Sequence, residues 1–270
     1  MIQLRWFQRK PNAVLVIALS IAGSFSDPLS LLAAPQNSAG VSTEPKLIQF
    51  ALSNLKDPPN RGTPRGTVGT GSRGDCLSTT KPLTLLAGGQ GLEQTVSGHP
   101  TFWVYVPYAP DETTSGEFSL QEGEEEVYRA PFQLPPSPGI VSIVLPNSVA
   151  PLQPGKEYRW YVDINCPSRK PSRNSTSVSV TGIVKRVAMS ATLAEDLGNA
   201  KTPLQRAASY ARHGLWFDTL TELAHLRLKQ PHNHEARQAW IELFSDRNDW
   251  LRLIAHEAIT GSVITSSPPK

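Results

Sequence analysis

The chain has 270 residues, with 26 lysines and arginines against 23 aspartates and glutamates, a formal net charge of +3. Three of those cations, Arg5, Arg9 and Lys10, precede the apolar run 13–21, which is the arrangement of a secretory signal peptide. Without them the basic and acidic residues balance at 23 each, so the charge of the mature chain argues against binding nucleic acid. Length and composition indicate one or two soluble domains.

We predict that residues 1–34 form a signal peptide that is cleaved between Ser24 and Ala34. The protein is then exported to the periplasm or out of the cell. The apolar run is shorter than the roughly 20 residues needed to span a bilayer, so we expect no stable membrane span after cleavage. The alternative is an uncleaved N-terminal membrane anchor.

Cys76 and Cys166 are the two cysteines of the chain. An even number of cysteines in an oxidising compartment favours a disulfide. Such a bond closes a loop of about 90 residues, which stabilises the fold by roughly 4 to 5 kcal/mol in the chain-entropy model. The alternative is a pair of free thiols.

Residues 35–81 are rich in Pro, Gly and Ser and are predicted to form a flexible linker. Its one apolar cluster, 47–55, is compatible with a short helical turn. Residues 69–74 spell G-x-G-x-x-G, but no predicted strand precedes them and no helix follows, so the pattern does not indicate nucleotide binding.

Residues 82–188 are predicted to form an antiparallel, immunoglobulin-like β-sandwich, because short alternating runs are separated by turn signals. The central strand is 99–108. We predict six further strands at 83–87, 118–120, 128–134, 139–145, 157–166 and 177–187. An acidic turn at 122–126 joins the strands on either side of it, and the last strand is expected to change phase at a bulge at Gly182.

The central strand carries large side chains on both faces. Phe102, Val104 and Val106 are expected to fill the sandwich, whereas Trp103 and Tyr105 need another cover. With Tyr108 they form a candidate ligand-binding or helix-docking face. The C-terminal helices are the predicted cover, and an exposed face would suit a carbohydrate ligand.

Residues 189–260 are predicted to be a helical appendage, followed by a disordered tail at 261–270. Apolar spacing indicates helices at 194–198, 203–213, 215–229 and 235–244. One unit resembles a tetratricopeptide repeat, with Tyr210, Gly214, Trp216, Leu223 and Pro231 at that repeat's signature spacings. A single repeat cannot build a solenoid, so we expect it to dock on the sandwich or on a partner.

The sequence contains no convincing catalytic set, and we predict a non-enzymatic protein without a cofactor. His225, His232 and His234 are the one histidine cluster and are weak candidates for metal ligands, since a zinc site needs a suitable third ligand and an open position. A metal-dependent hydrolase is therefore the weakest hypothesis. We expect the three histidines to be solvated.

Several motifs together resemble the cyanobacterial family catalogued as domain of unknown function 928. They are Arg73-Gly74-Asp75-Cys76, His99-Pro100-Thr101-Phe102-Trp103, Tyr105-Val106-Pro107-Tyr108, Pro138-Gly139-Ile140-Val141-Ser142, Lys156-Glu157-Tyr158-Arg159-Trp160, Cys166, and Gly214-Leu215-Trp216-Phe217-Asp218 with Leu223. The resemblance covers roughly residues 71–244. It implies an exported cyanobacterial protein with both cysteines in the domain, and it brings no established activity or catalytic residues.

The leading functional hypothesis is an exported module that binds a protein partner in the cell envelope. The first alternative is a carbohydrate-binding module that uses exposed aromatic side chains.

Overall fold

The computed structural model describes residues 47–48, 76, 78–87, 93–110, 115–166 and 176–263, which all belong to one compact unit, Glu44–Lys270. The predicted signal peptide and most of the predicted linker lie outside the described residues. The strands are β1 (Thr84–Leu85), β2 (Glu93–Thr95), β3 (Thr101–Val106), β4 (Ser115–Glu122), β5 (Glu125–Phe132), β6 (Gly139–Val144), β7 (Glu157–Cys166), β8 (Thr176–Arg186) and β9 (Ile259–Ser262). The helices are α1 (Ala191–Asn199), α2 (Pro203–Arg212), α3 (Trp216–Lys229), α4 (His234–Ser245) and α5 (Asp249–Ile254).

The described residues form a mainly β fold with a C-terminal helical part, which confirms the predicted class. The first sheet has the strand order β1-β3-β6-β9, and the second has the order β2-β8-β7-β4-β5. The seven predicted strands correspond to β1 and β3–β8. The predicted acidic turn closes the β4–β5 hairpin, where Glu122 faces Glu125 and Gly123 adopts φ +63°.

Both sheets are mixed, so the prediction of purely antiparallel pairing is wrong at two edges. β2 runs parallel to β8, and β9 runs parallel to β6. A parallel pair needs a long connection, and the chain between β6 and β9 provides one through β7, β8 and the helices. Neither edge strand was predicted. β2 has only three residues, and β9 follows the helices and crosses the predicted boundary between the helical part and the C-terminal tail.

An aromatic cluster joins the two sheets and the helical part. The ring of Phe102 on β3 lies 4.9 Å from Phe118 on β4 and 4.8 Å from Trp160 on β7. Phe217 of α3 packs edge-on against Phe102 at 5.7 Å and Trp160 at 6.2 Å. Because tilted and edge-on aromatic pairs add to the energy of apolar burial, this cluster stabilises the sheets and α3 together.

β8 has no bulge at Gly182, and the predicted change of phase is wrong. Its pairing with β7 is continuous, with Gly182 opposite Trp160. A Cβ atom at Gly182 would lie 2.7 Å from Nε1 of Trp160. The small residue therefore occupies an inward-facing position that the indole fills, which interrupts the apolar pattern of the strand without interrupting its alternation.

The first four helices confirm the predicted helical segments, with ends that differ by up to three residues. The side chains of Ser190 and Asn233 cap α1 and α4. Each accepts a hydrogen bond from the main-chain N–H of the residue three positions later. Thr202 caps α2 in a full capping box with Gln205. Helix α5 was not predicted, although Asn248 caps it in the same manner.

Candidate functional site

Helix α3 covers the face of β3 that carries Trp103. The Trp103 side chain is 1% exposed, and its Nε1 donates a hydrogen bond to Oγ1 of Thr221 at 3.0 Å. The ring of His225, one turn further along α3, lies edge-on to it at 6.1 Å. The predicted cover by the C-terminal helices is therefore present at Trp103.

Tyr105 and Tyr108, the other members of the predicted face, are also buried. Burial raises the pKa of each phenol above its usual value, and the Tyr108 hydroxyl also hydrogen-bonds with Thr79. None of the three rings lies open to solvent as a flat platform. The condition that the sequence set for a carbohydrate-binding face, exposed rings, is thus not met by Trp103, Tyr105 and Tyr108.

Cys76 and Cys166 form the predicted disulfide, with their sulfurs 2.08 Å apart and their Cα atoms 5.1 Å apart. The bond connects the chain just before β1 to the last residue of β7. It thereby links the start of the described domain to the second sheet across 90 residues of sequence.

The predicted repeat-like residues surround the α2–α3 turn and its contact with the sheets. They are Tyr210, Gly214, Trp216, Leu223 and Pro231. Gly214 follows the end of α2 and adopts φ +72°, a conformation that favours glycine. Nε1 of the buried Trp216 donates to the main-chain oxygen of Leu86 at 2.7 Å, so this residue also ties α3 to the end of β1. Leu223 is buried and Pro231 is exposed in the loop that follows α3.

A carboxylate at the start of α3 joins the helical part to β2. The main-chain N–H of Val96 donates to Oδ2 of Asp218 at 3.2 Å, and the Thr95 hydroxyl is a second hydrogen-bond partner. Burial raises the pKa of Asp218 to about 6, although these hydrogen bonds oppose the shift. Asp218 therefore connects the start of α3 to the end of β2, and its raised pKa makes this connection sensitive to pH.

The three histidines of the sequence prediction are exposed. His225 packs against Trp103. His232 lies in the loop before α4, and His234 is the first residue of that helix. Within the described residues, no three His, Cys, Asp or Glu side chains are placed to hold a metal ion.

The candidate functional surface is the outer face of α5. This helix buries Leu251 and Ile254 on its inner face. On its outer face Trp250 is 37% exposed and Leu253 is 51% exposed. Residues three apart on a helix are neighbours, so the two apolar side chains form one patch, which we call the α5 patch.

The α5 patch was not predicted, because α5 was not among the predicted helices. The signal was present: Asn248 at an N-cap position is followed by four apolar residues within six positions. That number exceeds what one buried helix face requires, so the excess is itself the sign of a second apolar face.

The fold and its contacts define a disulfide-linked, mainly β protein with an integral helical part. The chain belongs to the family described as Domain of Unknown Function (DUF928), whose family model matches residues 68–258. The match includes both cysteines and the α5 patch. The comparisons found no matching curated protein and no matching solved structure. Among the described residues, no helix has the length and apolar character required to span a membrane.

Proposed function

We propose that the protein is an exported, non-enzymatic interaction module that binds a protein partner of the cell envelope through the α5 patch. The observation that carries this proposal is the pair Trp250 and Leu253, exposed side by side on a helix whose other face already fills its share of the core.

The chemistry of the α5 patch suits a protein interface. Tryptophan is enriched among the residues that dominate binding energy at interfaces, and a neighbouring aliphatic side chain extends the surface that excludes water. An ion pair between Arg252 and Asp249 lies on the same helix. It supplies the polar rim that normally surrounds an apolar interface centre.

Export is supported by two independent features. The N-terminal pattern is that of a secretory signal, with Arg5, Arg9 and Lys10 before an apolar run. The Cys76–Cys166 bond belongs to the oxidising compartments in which disulfides persist. An exported protein meets the proteins of the cell envelope, and for this reason we place the proposed partner there.

We further propose that the two sheets form an immunoglobulin-like sandwich and that α2 and α3 form a tetratricopeptide-like unit. The ring contacts of Phe102 with Phe118 and Trp160 support the face-to-face packing of the sheets. The tight turn at Gly214 and the bidentate pair of Arg206 on α2 with Glu222 on α3 support the helical unit. A rigid scaffold of this kind holds α5 in a fixed position.

The test is affinity capture from an envelope fraction with three forms of the mature protein as bait. The forms are the unaltered chain, a Trp250→Ser/Leu253→Ser variant, and a Met189→Ser variant in which another exposed apolar residue is changed. We expect a partner retained by the unaltered chain and by Met189→Ser at equal levels, and at least about tenfold less by the double variant.

Equal capture by all three baits contradicts the role of the α5 patch. Turnover of a substrate by the purified mature protein in a panel of hydrolase assays contradicts the non-enzymatic role. Circular dichroism of each bait checks that the exposed substitutions leave the fold intact.

A further inference from the structure

Two residues of the predicted linker are anchored on the helical part. The main-chain N–H groups of Leu47 and Ile48 both donate to Oε2 of Glu242 on α4, at 2.8 Å and 3.4 Å. These residues lie almost 200 positions apart in the sequence, so the contact is tertiary and not a local turn. Leu47 and Ile48 also precede the region matched by the family model.

A second hydrogen bond, made within α4, orients the carboxylate of Glu242. Nε2 of Gln238, one turn earlier on α4, donates to Oε1 of Glu242 at 3.1 Å. One carboxylate oxygen is therefore committed to the helix, and the other is left to accept two successive main-chain N–H groups. Charge-assisted hydrogen bonds of this kind are stronger than neutral ones.

The two side chains of the segment have different environments. Ile48 is 3% exposed and belongs to the continuous hydrophobic core that includes Ala239 and Leu243 of α4. Leu47 is 40% exposed. Recognition therefore combines main-chain hydrogen bonds, which any residue other than proline provides, with burial of one branched apolar side chain.

We propose that the surface of α4 around Glu242 is a docking site for a short apolar peptide segment, and that its occupant is the 47–48 segment of the same chain. The site binds the two adjacent N–H groups of Leu47 and Ile48 and buries the aliphatic side chain of Ile48. It is separate from the α5 patch, and the inference does not depend on a partner binding there.

The first arm of the test uses the full-length chain with Ile48→Asp, which places a charge in the buried position. Met189→Asp is the matched control, because the same charge enters at an exposed position outside the 47–48 segment and its contact with Glu242. A fluorescently labelled synthetic peptide with the sequence of residues 44–52 is added, and its anisotropy is measured. We expect the peptide to bind Ile48→Asp at least about tenfold more tightly than it binds the unaltered chain or Met189→Asp.

The second arm does not require the Ile48 variant to fold. Amide hydrogen exchange is measured at Leu47 and Ile48 in the unaltered protein and in Glu242→Ala. We expect exchange at both amides to be at least about tenfold faster in Glu242→Ala, since the acceptor of both hydrogen bonds is lost.

Four results overturn the inference. Three of them are equal peptide binding by the unaltered chain and by Ile48→Asp, absence of peptide binding by a folded Ile48→Asp variant, and amide exchange that is unchanged in Glu242→Ala. A dimer of the unaltered chain that dissociates in Ile48→Asp also overturns it, because the segment then comes from a second copy. Light scattering on both forms makes that distinction.

Discussion

The substitution Trp103→Ala tests whether the helical part and the sheets form one stable unit. Trp103 is fully covered, and its indole N–H binds the hydroxyl of Thr221 on α3. The substitution therefore removes a large side chain between β3 and α3 and also leaves Thr221 without its donor.

The expected loss follows from those two effects. Replacing a buried tryptophan by alanine costs about 3 to 5 kcal/mol, because the apolar contacts are lost and a cavity remains. The lost hydrogen bond adds about 1 kcal/mol. Trp103→Phe keeps most of the ring but not the donor, so it is expected to cost about 1 to 2 kcal/mol.

Urea unfolding followed by circular dichroism measures both losses with the disulfide intact. Trp250→Ala is the control, since this tryptophan is 37% exposed on α5 and its loss is expected to be smaller, about 1 to 2 kcal/mol. We expect one transition in which helical and strand signals unfold together. A Trp103→Ala loss no larger than that of Trp250→Ala, or a separate helical transition, refutes the reasoning.

Three further predictions concern the β7–β8 pair, the contact of Asp218 with β2, and the disulfide. Gly182→Ala is expected to cost about 1 to 3 kcal/mol, because its Cβ meets the indole opposite; Gly198→Ala, with open space around it, is the control, and equal urea midpoints for the two variants would contradict the clash. The raised pKa of Asp218 means that the folded state binds the proton more tightly than the unfolded state. As the pH rises from about 4 to about 6, the free energy of unfolding of the unaltered protein is therefore expected to fall by about 1 to 3 kcal/mol relative to that of Asp218→Asn. That range is discounted because the side chain retains some contact with solvent, and a difference that grows in favour of the unaltered protein as pH rises would be the wrong sign. Removing the bond by a Cys76→Ser/Cys166→Ser double substitution is expected to lower stability by about 2 to 5 kcal/mol, measured by urea unfolding, and no change on substitution or on reduction would contradict the disulfide's contribution.

The class of fold was predictable because the strongest signals are local. The alternation of β7 places Tyr158, Trp160 and Val162 on one face, and all three are buried. The apolar residues on both faces of β3 predicted two layers of cover, and the second layer is α3. These patterns follow from the period of the backbone itself, so they can be read without knowing what lies opposite.

The features that sequence reasoning missed depend on distant partners. Gly182 was assigned to a bulge because the sequence does not show the indole of Trp160 that fills its place. β9 has four residues and contains Gly261 at φ +106°, so it is recognisable only from its pairing with β6. Ile48 lies in a Pro- and Gly-rich stretch, and its burial is determined by α4.

The central claim is that the α5 patch contacts a protein partner, and site-specific photo-crosslinking in the envelope tests it most directly. A photoreactive amino acid replaces Leu253 in one form of the full-length chain and Met189 in the other, since both positions are equally exposed at 51%. The account predicts a discrete crosslinked product of higher mass from position 253 and none from position 189. The absence of a product at position 253, or the same product from both positions, would contradict it.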